Sequence, residues 1–140
     1  MSEYIRPVAL AVIKNQNGRI LVEAGYDAAK NEKFYRALGG GIEMGETGAQ
    51  CVKREIMEEL GVDVKVQDRL CVIENIFTYE GKPGHQIMLV YPCAFTSKSL
   101  YEKEELPLIE TPDRTAIWRS PTEIEAEGAV LHPGEMLKYL

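Results

Sequence analysis

The strongest constraint on this chain is a run of glycines, Gly39-Gly40-Gly41, that leads within a few residues into a helix with both ends marked. Glycine lets a backbone reach positive φ and come close to a neighbouring group or an ion. Thr47 and Gln50 have the spacing of a capping box, which predicts a helix start near residue 48. Gly61 suits the position just past the last helical turn. Between these signals Ala49, Val52, Ile56 and Leu60 recur at helical spacing and form one apolar stripe. That stripe pins the helix to a sheet.

The other face of the same helix is acidic. Glu55, Glu58 and Glu59 stand at i, i+3 and i+4, so their side chains cluster. Glu46 precedes the helix and can fold back toward them. Like charges at this spacing repel by a few tenths of a kcal/mol, roughly, per pair, and something must offset that. Arg54 is four residues before Glu58 and can bond one carboxylate. A divalent cation does more, because Mg2+ prefers carboxylate and carbonyl oxygens. A bare E-x-x-E-E is usually a solvated helix face. The glycine turn, Glu46, Arg54 and the closing Gly61-Val62 favour a metal site.

Residues 40–62 place Gly40, Glu46, Arg54, Glu55, Ile56, Glu58, Glu59, Gly61 and Val62 in the pattern G-x5-E-x7-R-E-U-x-E-E-x-G-U, with U aliphatic. This resembles the box of the Nudix hydrolases (MutT-like), with every signature position filled. The resemblance implies a single α/β domain over residues 1–140, a mixed β-sheet between α-helices in an α/β/α sandwich. It implies a Mg2+- or Mn2+-dependent pyrophosphohydrolase in which water attacks phosphorus in the diphosphate linkage of a nucleoside diphosphate derivative. Nucleotide sugars such as ADP-ribose, dinucleoside polyphosphates and (deoxy)nucleoside triphosphates all fit that class. Glu55 and Glu59 are the implied metal ligands, with Glu58 as a third ligand or as the base that orients water, and the Gly40 carbonyl as a further ligand. Glu46 and Arg54 act as organisers. By family analogy a homodimer is compatible. The alternative is a non-catalytic nucleotide or nucleotide-sugar sensor on the same fold, which would be expected to have lost box glutamates. The one departure precedes the box: Ala37-Leu38 stand where many relatives have a proline.

The rest of the chain agrees with one domain. It has 140 residues, 45% of them hydrophobic, enough for a core. A net charge of −6 without a basic run argues against a nucleic-acid polymer as partner. Cys51, Cys71 and Cys93 show no C-x-x-C spacing and read as reduced thiols of a cytoplasmic protein. No membrane span or cleavable leader is evident.

Strands are predicted over residues 7–14, 19–23, 34–38, 62–66, 70–79, 85–96 and 115–119. Turns are expected at 15–18 and 80–84, an exposed loop at 25–33 and a long polar loop at 97–114. Short helical segments are expected over 121–126 and 134–140, with Pro133 as a first helical residue.

Outside the box, Arg36 is a candidate phosphate clamp and equally a surface arginine. Of Phe34 and Tyr35, one belongs to the core and the other can stack on a base. Tyr79 and His85 flank the turn at 80–84 and can contact a base, and Lys82 can meet a phosphate. An ordinary hairpin is the plainer reading of these three. Tyr79 stands near where the resemblance places a tyrosine in dinucleoside polyphosphate hydrolases. Glu102, Glu104 and Glu105 are loop carboxylates that a related enzyme could use as base or ligand, although a solvated loop is the simpler account. His132, before Pro133, reads as the start of a helix rather than a catalyst.

Overall fold

A computed structural model describes residues 4–111 and 113–140. The strands are β1 (Arg6–Ile13), β2 (Ile20–Asp27), β3 (Glu32–Gly41), β4 (Val64–Val66), β5 (Cys71–Tyr79), β6 (Lys82–Phe95), β7 (Glu105–Pro107), β8 (Thr115–Arg119) and β9 (Val130–His132). Helix α1 spans Gly48–Leu60 and α2 spans Pro121–Ala126. Two 3-10 helices cover Lys98–Glu102 and Gly134–Tyr139.

The sheet is mixed, in the order β4-β6-β1-β3-β2-β8-β7, with β5 on β6 and β9 on β3. The β1–β6 and β3–β9 pairs are parallel and the others antiparallel. Strand β1 shows how the layers form. Ala9, Ala11 and Ile13 face the α1 side with Cys51, Val52 and Ile56. Val8, Leu10 and Val12 face the other side with Ile124 of α2 and Met136 of the C-terminal 3-10 helix. A strand buried on both faces reads as a continuous apolar run, as residues 8–13 do. The α/β/α layering expected of the resemblance is the observed one.

Helix α1 begins and ends where its signals stand. Thr47 Oγ1 accepts from Gln50 N at 3.1 Å, and Gln50 Oε1 accepts from Thr47 N at 2.9 Å. Gly61 is left-handed, with φ 70°, and its N–H reaches the Met57 carbonyl at 2.9 Å.

Several loop and terminal assignments change. The loop expected at 25–33 is a hairpin, because β2 continues to Asp27 and β3 starts at Glu32. The Asp27 carboxylate compensates the turn, accepting from Ala29 N and Lys30 N. The turn at 80–84 shrinks to Glu80-Gly81, both at positive φ as a two-residue hairpin requires. The polar stretch 97–114 contains a 3-10 helix and β7. Strand β9 was not expected: a three-residue strand is too short to show a period. Pro133 caps the last 3-10 helix rather than opening an α-helix. No helix among the described residues is long and apolar enough to cross a membrane.

Candidate active site

Strand β3 changes partners along its length. Glu32 to Ala37 pair with β2, whereas Leu38 to Gly41 pair only with β1. The glycine end therefore has one open edge, and the acidic helix α1 serves that edge. The Cys51 thiol donates to the carbonyls of Gly40 and Gly41 at 3.5 Å and 3.4 Å. Arg54 Nη2 donates to the Gly41 carbonyl at 3.1 Å. The Gly39 N–H faces the Glu59 carboxylate and favours its charged form. Gly39 has φ 152°, and a Cβ there would lie 2.1 Å from the Ala9 carbonyl oxygen. A Cβ on Gly40 would lie 2.3 Å from Glu55 Oε1. The glycines thus let the strand carry a carboxylate directly against its backbone.

Arg54 organises the remaining box carboxylates. Its Nε and Nη2 grip Glu46 at 2.7 Å and 2.9 Å. Its Nη1 donates to Glu58 at 3.2 Å and 3.3 Å and to Glu55 at 3.3 Å. The guanidinium beside Glu46 holds that carboxyl down at about 2.

Glu55 and Glu59 line a cleft of about 590 Å3 together with Gly39 and Gly40. Burial raises the Glu55 carboxyl above its ordinary range. Burial, and then the negative charges of Glu23 and Glu55, push Glu59 up to about 8. Glu23 and Glu110 line the same cleft. The site therefore concentrates negative charge out of water, which a cation relieves. Among the described residues no three Asp, Glu, His or Cys side chains form a ready metal cage. Mg2+ does not need one, because it keeps several waters and takes one or two carboxylates plus substrate phosphates. Two cleft carboxylates beside a backbone carbonyl fit that requirement.

The other walls are apolar and aromatic. Val8, Leu10 and Met88 contribute aliphatic surface, and Phe34, Phe77, Tyr79 and His132 contribute rings. Phe34 packs edge-on to Tyr79 at 6.0 Å and against His132 at 4.9 Å. Each phenylalanine lies on a glycine of the neighbouring strand: a Cβ at Gly25 or at Gly84 would lie 2.3 Å from the ring of Phe34 or Phe77.

Of the residues singled out in the sequence, Gly40, Glu55, Glu59, Arg36 and Tyr79 meet at this cleft. Glu46 and Glu58 reach it only through Arg54. Tyr35 is fully buried and bonds Glu127 at 2.6 Å, which leaves Phe34 as the cleft aromatic. Arg36 is not a free cation, since Glu23 accepts from its Nε and Nη2 at 3.2 Å and 2.9 Å. Lys82 and His85 border a separate side depression of about 230 Å3. Glu102, Glu104 and Glu105 are away from the cleft, and the carboxylate that the 97–114 stretch does bring there is Glu110.

Glu23, Arg114 and Arg6 escaped the sequence reading. Glu23 is 6% exposed and also pairs with Arg114 at 3.3 Å. The available signal was one carboxylate directly after the buried run Ile20-Leu21-Val22, an expensive place for a charge without a partner.

Comparison with known proteins bears on the fold and the family. The NUDIX domain profile matches residues 4–140. An 8-oxo-dGTP diphosphatase of Escherichia coli (strain K12) is 38% identical over 55 residues, 39% of this chain and 43% of the relative. The match thus spans less than half the length of that relative. The crystal structure of a MutT NUDIX hydrolase from Burkholderia pseudomallei superposes with TM-score 0.64 and 26% identity, over 86% of this chain and 87% of that one. A NUDIX hydrolase from Nitrosomonas europaea shares the fold, with TM-score 0.65 and 18% identity over 96% and 85% of the two chains. With its box, its layered mixed sheet and a profile match over nearly all of its length, this chain belongs to the Nudix domain family.

Proposed function

We propose that this chain is a divalent-cation-dependent pyrophosphohydrolase that cleaves the diphosphate linkage of a nucleoside diphosphate derivative by attack of water at phosphorus. The observation that carries the proposal is the pair Glu55 and Glu59, half-buried in a cleft and set against Gly40 and Gly39. These two carboxylates, with the Gly40 carbonyl, would hold Mg2+ or Mn2+. When bound, the cation supplies charge neutralisation of the diphosphate and activation of water.

The protein's own groups do the rest. Arg54 fixes the rotamers of Glu46 and Glu58 by charge-assisted bonds. That keeps the Glu58 carboxylate beside Glu55, where it serves as a further ligand or accepts the proton of the attacking water. The rings of Phe34 and Tyr79 give a base an apolar wall. The similarity to an 8-oxo-dGTP diphosphatase and to a MutT protein supports nucleotides as the substrate class.

Turnover across a panel of nucleotide sugars, dinucleoside polyphosphates and nucleoside triphosphates, with Mg2+ or Mn2+, tests this. Mass analysis after reaction in 18O-water locates the phosphorus attacked. The expected result is a strong substrate whose turnover disappears in Glu59→Gln and in EDTA. Tight binding of a nucleotide that stays intact with either metal would show a sensor instead.

A further inference from the structure

The cleft has a neighbour of opposite character. The side depression shares Arg6, Phe77, Tyr79 and Gln86 with the main cleft, and Lys82 and His85 complete its polar rim. The main cleft is lined by Glu23, Asp27, Glu55, Glu59 and Glu110, whereas among the described residues no carboxylate lines the depression. In a chain with net charge −6, a hollow lined by an arginine and a lysine and, among the described residues, by no carboxylate is a local reversal of sign.

The arginines differ in the same sense. Arg19, Arg36, Arg54, Arg114 and Arg119 each pair with a glutamate. Arg6, Arg69 and Lys82 make no ion pair among the described residues, and of these Arg6 and Lys82 line the depression. Arg6 also has a defined seat. A Cβ on Gly41 would lie 2.8 Å from its Nη2, 3.2 Å from Nε and 3.3 Å from Cζ, so the guanidinium rests against the end of the glycine strand. Gly40, the next residue, abuts Glu55. Arg6 therefore stands where the acidic cleft opens into the depression. In the sheet it lies opposite Gln86, and Lys82 is four residues earlier on β6, on the same face and roughly 13 Å along the strand.

We propose that Arg6 and Lys82 form a phosphate subsite, and that the preferred substrate carries a phosphate beyond the diphosphate linkage at Glu55 and Glu59. This rests on the hydrolase reading and narrows its substrate class. The cleft and the depression share Arg6, Phe77, Tyr79 and Gln86 as a common wall, so a substrate held at the carboxylates can extend past Arg6 toward the depression. Arg36 cannot fill this role without giving up Glu23, which would leave a buried carboxylate with one fewer partner.

Two measurements test the subsite separately from catalysis. The first is thermal shift of the metal-free protein titrated with inorganic phosphate. Wild type should be stabilised in a saturable way, and Glu59→Gln should keep the response. Arg6→Gln and Lys82→Gln should lose most of it, and Arg6→Lys should retain part. General salt stabilisation acts on all these proteins alike, so an equal response in every variant, or none in wild type, overturns the subsite. Circular dichroism confirms that each variant is folded.

The second measurement compares ADP-ribose with ADP-ribose 2′-phosphate under Mg2+. The phosphorylated substrate should have the higher kcat/KM, and Arg6→Gln should raise its KM about 10-fold or more, as expected for one lost charge-assisted bond, with kcat little changed. An equal KM rise for both substrates, or no preference between them, overturns the substrate assignment. If neither is hydrolysed while phosphate binding follows Arg6 and Lys82, the subsite stands and ADP-ribose derivatives are overturned as its substrates; the hydrolase reading itself fails only if the whole nucleotide panel stays intact.

Discussion

Arg54 holds Glu46 through two bonds, at 2.7 Å and 2.9 Å, while its third nitrogen reaches Glu58 at 3.2 Å. One planar guanidinium therefore links the loop before α1 to the acidic face of α1. Lysine cannot reproduce that fork. Arg54→Lys should lower turnover or metal affinity about 10- to 100-fold, the usual cost of removing a group that orients metal ligands. Activity measured against Mg2+ concentration checks this, and a normal titration curve would show that Arg54 is dispensable.

Glu59 should trade stability for function. Its folded pKa of about 8 lies above its ordinary value of 4.5. The folded metal-free protein then binds more protons than the unfolded chain between those values. The stabilising contribution is present below about pH 4.5 and is lost as pH rises through 8. Glu59→Gln should abolish most turnover, by about 100-fold or more. It should also raise Tm in EDTA at pH 9 relative to wild type, with little difference at pH 4. Equal Tm values at pH 9 would mean that the carboxylate is not strained by its surroundings.

The two adjacent glycines should respond differently to alanine. Gly40→Ala displaces a side chain, since its Cβ would lie 2.3 Å from Glu55 Oε1. A carboxylate moved by about 1 Å costs on the order of 100-fold in rate, and the fold should survive. Gly39→Ala meets backbone, at 2.1 Å from the Ala9 oxygen and with φ 152°. It should cost about 1–3 kcal/mol or more. Urea unfolding and kcat, measured together, separate the two effects.

Acid stability should depend on Glu127. Tyr35, then Lys33 and Arg119, hold its carboxyl down at about 2. A lowered folded pKa gives stability that is present above about 4.5 and is lost as pH falls through 2. Glu127→Gln should therefore flatten the decline of the urea midpoint between pH 4.5 and pH 2. An unchanged slope would place the acid sensitivity in other groups.

The helix of the box was legible because its signals are local. Thr47, Gln50 and Gly61 cap the backbone within a turn of themselves, and Val52, Ile56 and Leu60 follow the helical period. The strands β1 and β6 were legible as apolar runs. Strand β9 was not, because its three residues take their conformation from pairing with β3, about a hundred residues away in sequence. The same distance effect hid the charge partners. Arg36 and Glu23 face each other across β2 and β3, and that register made Arg36 an ion-pair partner rather than a free clamp.

By itself the sequence determined the chemistry at the helix: which carboxylates share a face, where the glycine turn precedes them, and the family they belong to. Those properties depend on spacing along one element, which the helical repeat converts directly into geometry. Only the tertiary structure decided which groups stand across from that face. It left the glycine edge of β3 open to α1, buried Glu23 between two arginines, brought Glu110 to the cleft and set Arg6 and Lys82 on one depression without an ion pair among the described residues. Strand register and loop packing set those meetings, and both arise from burying the two faces of the sheet at once, a condition on the whole chain rather than on any segment.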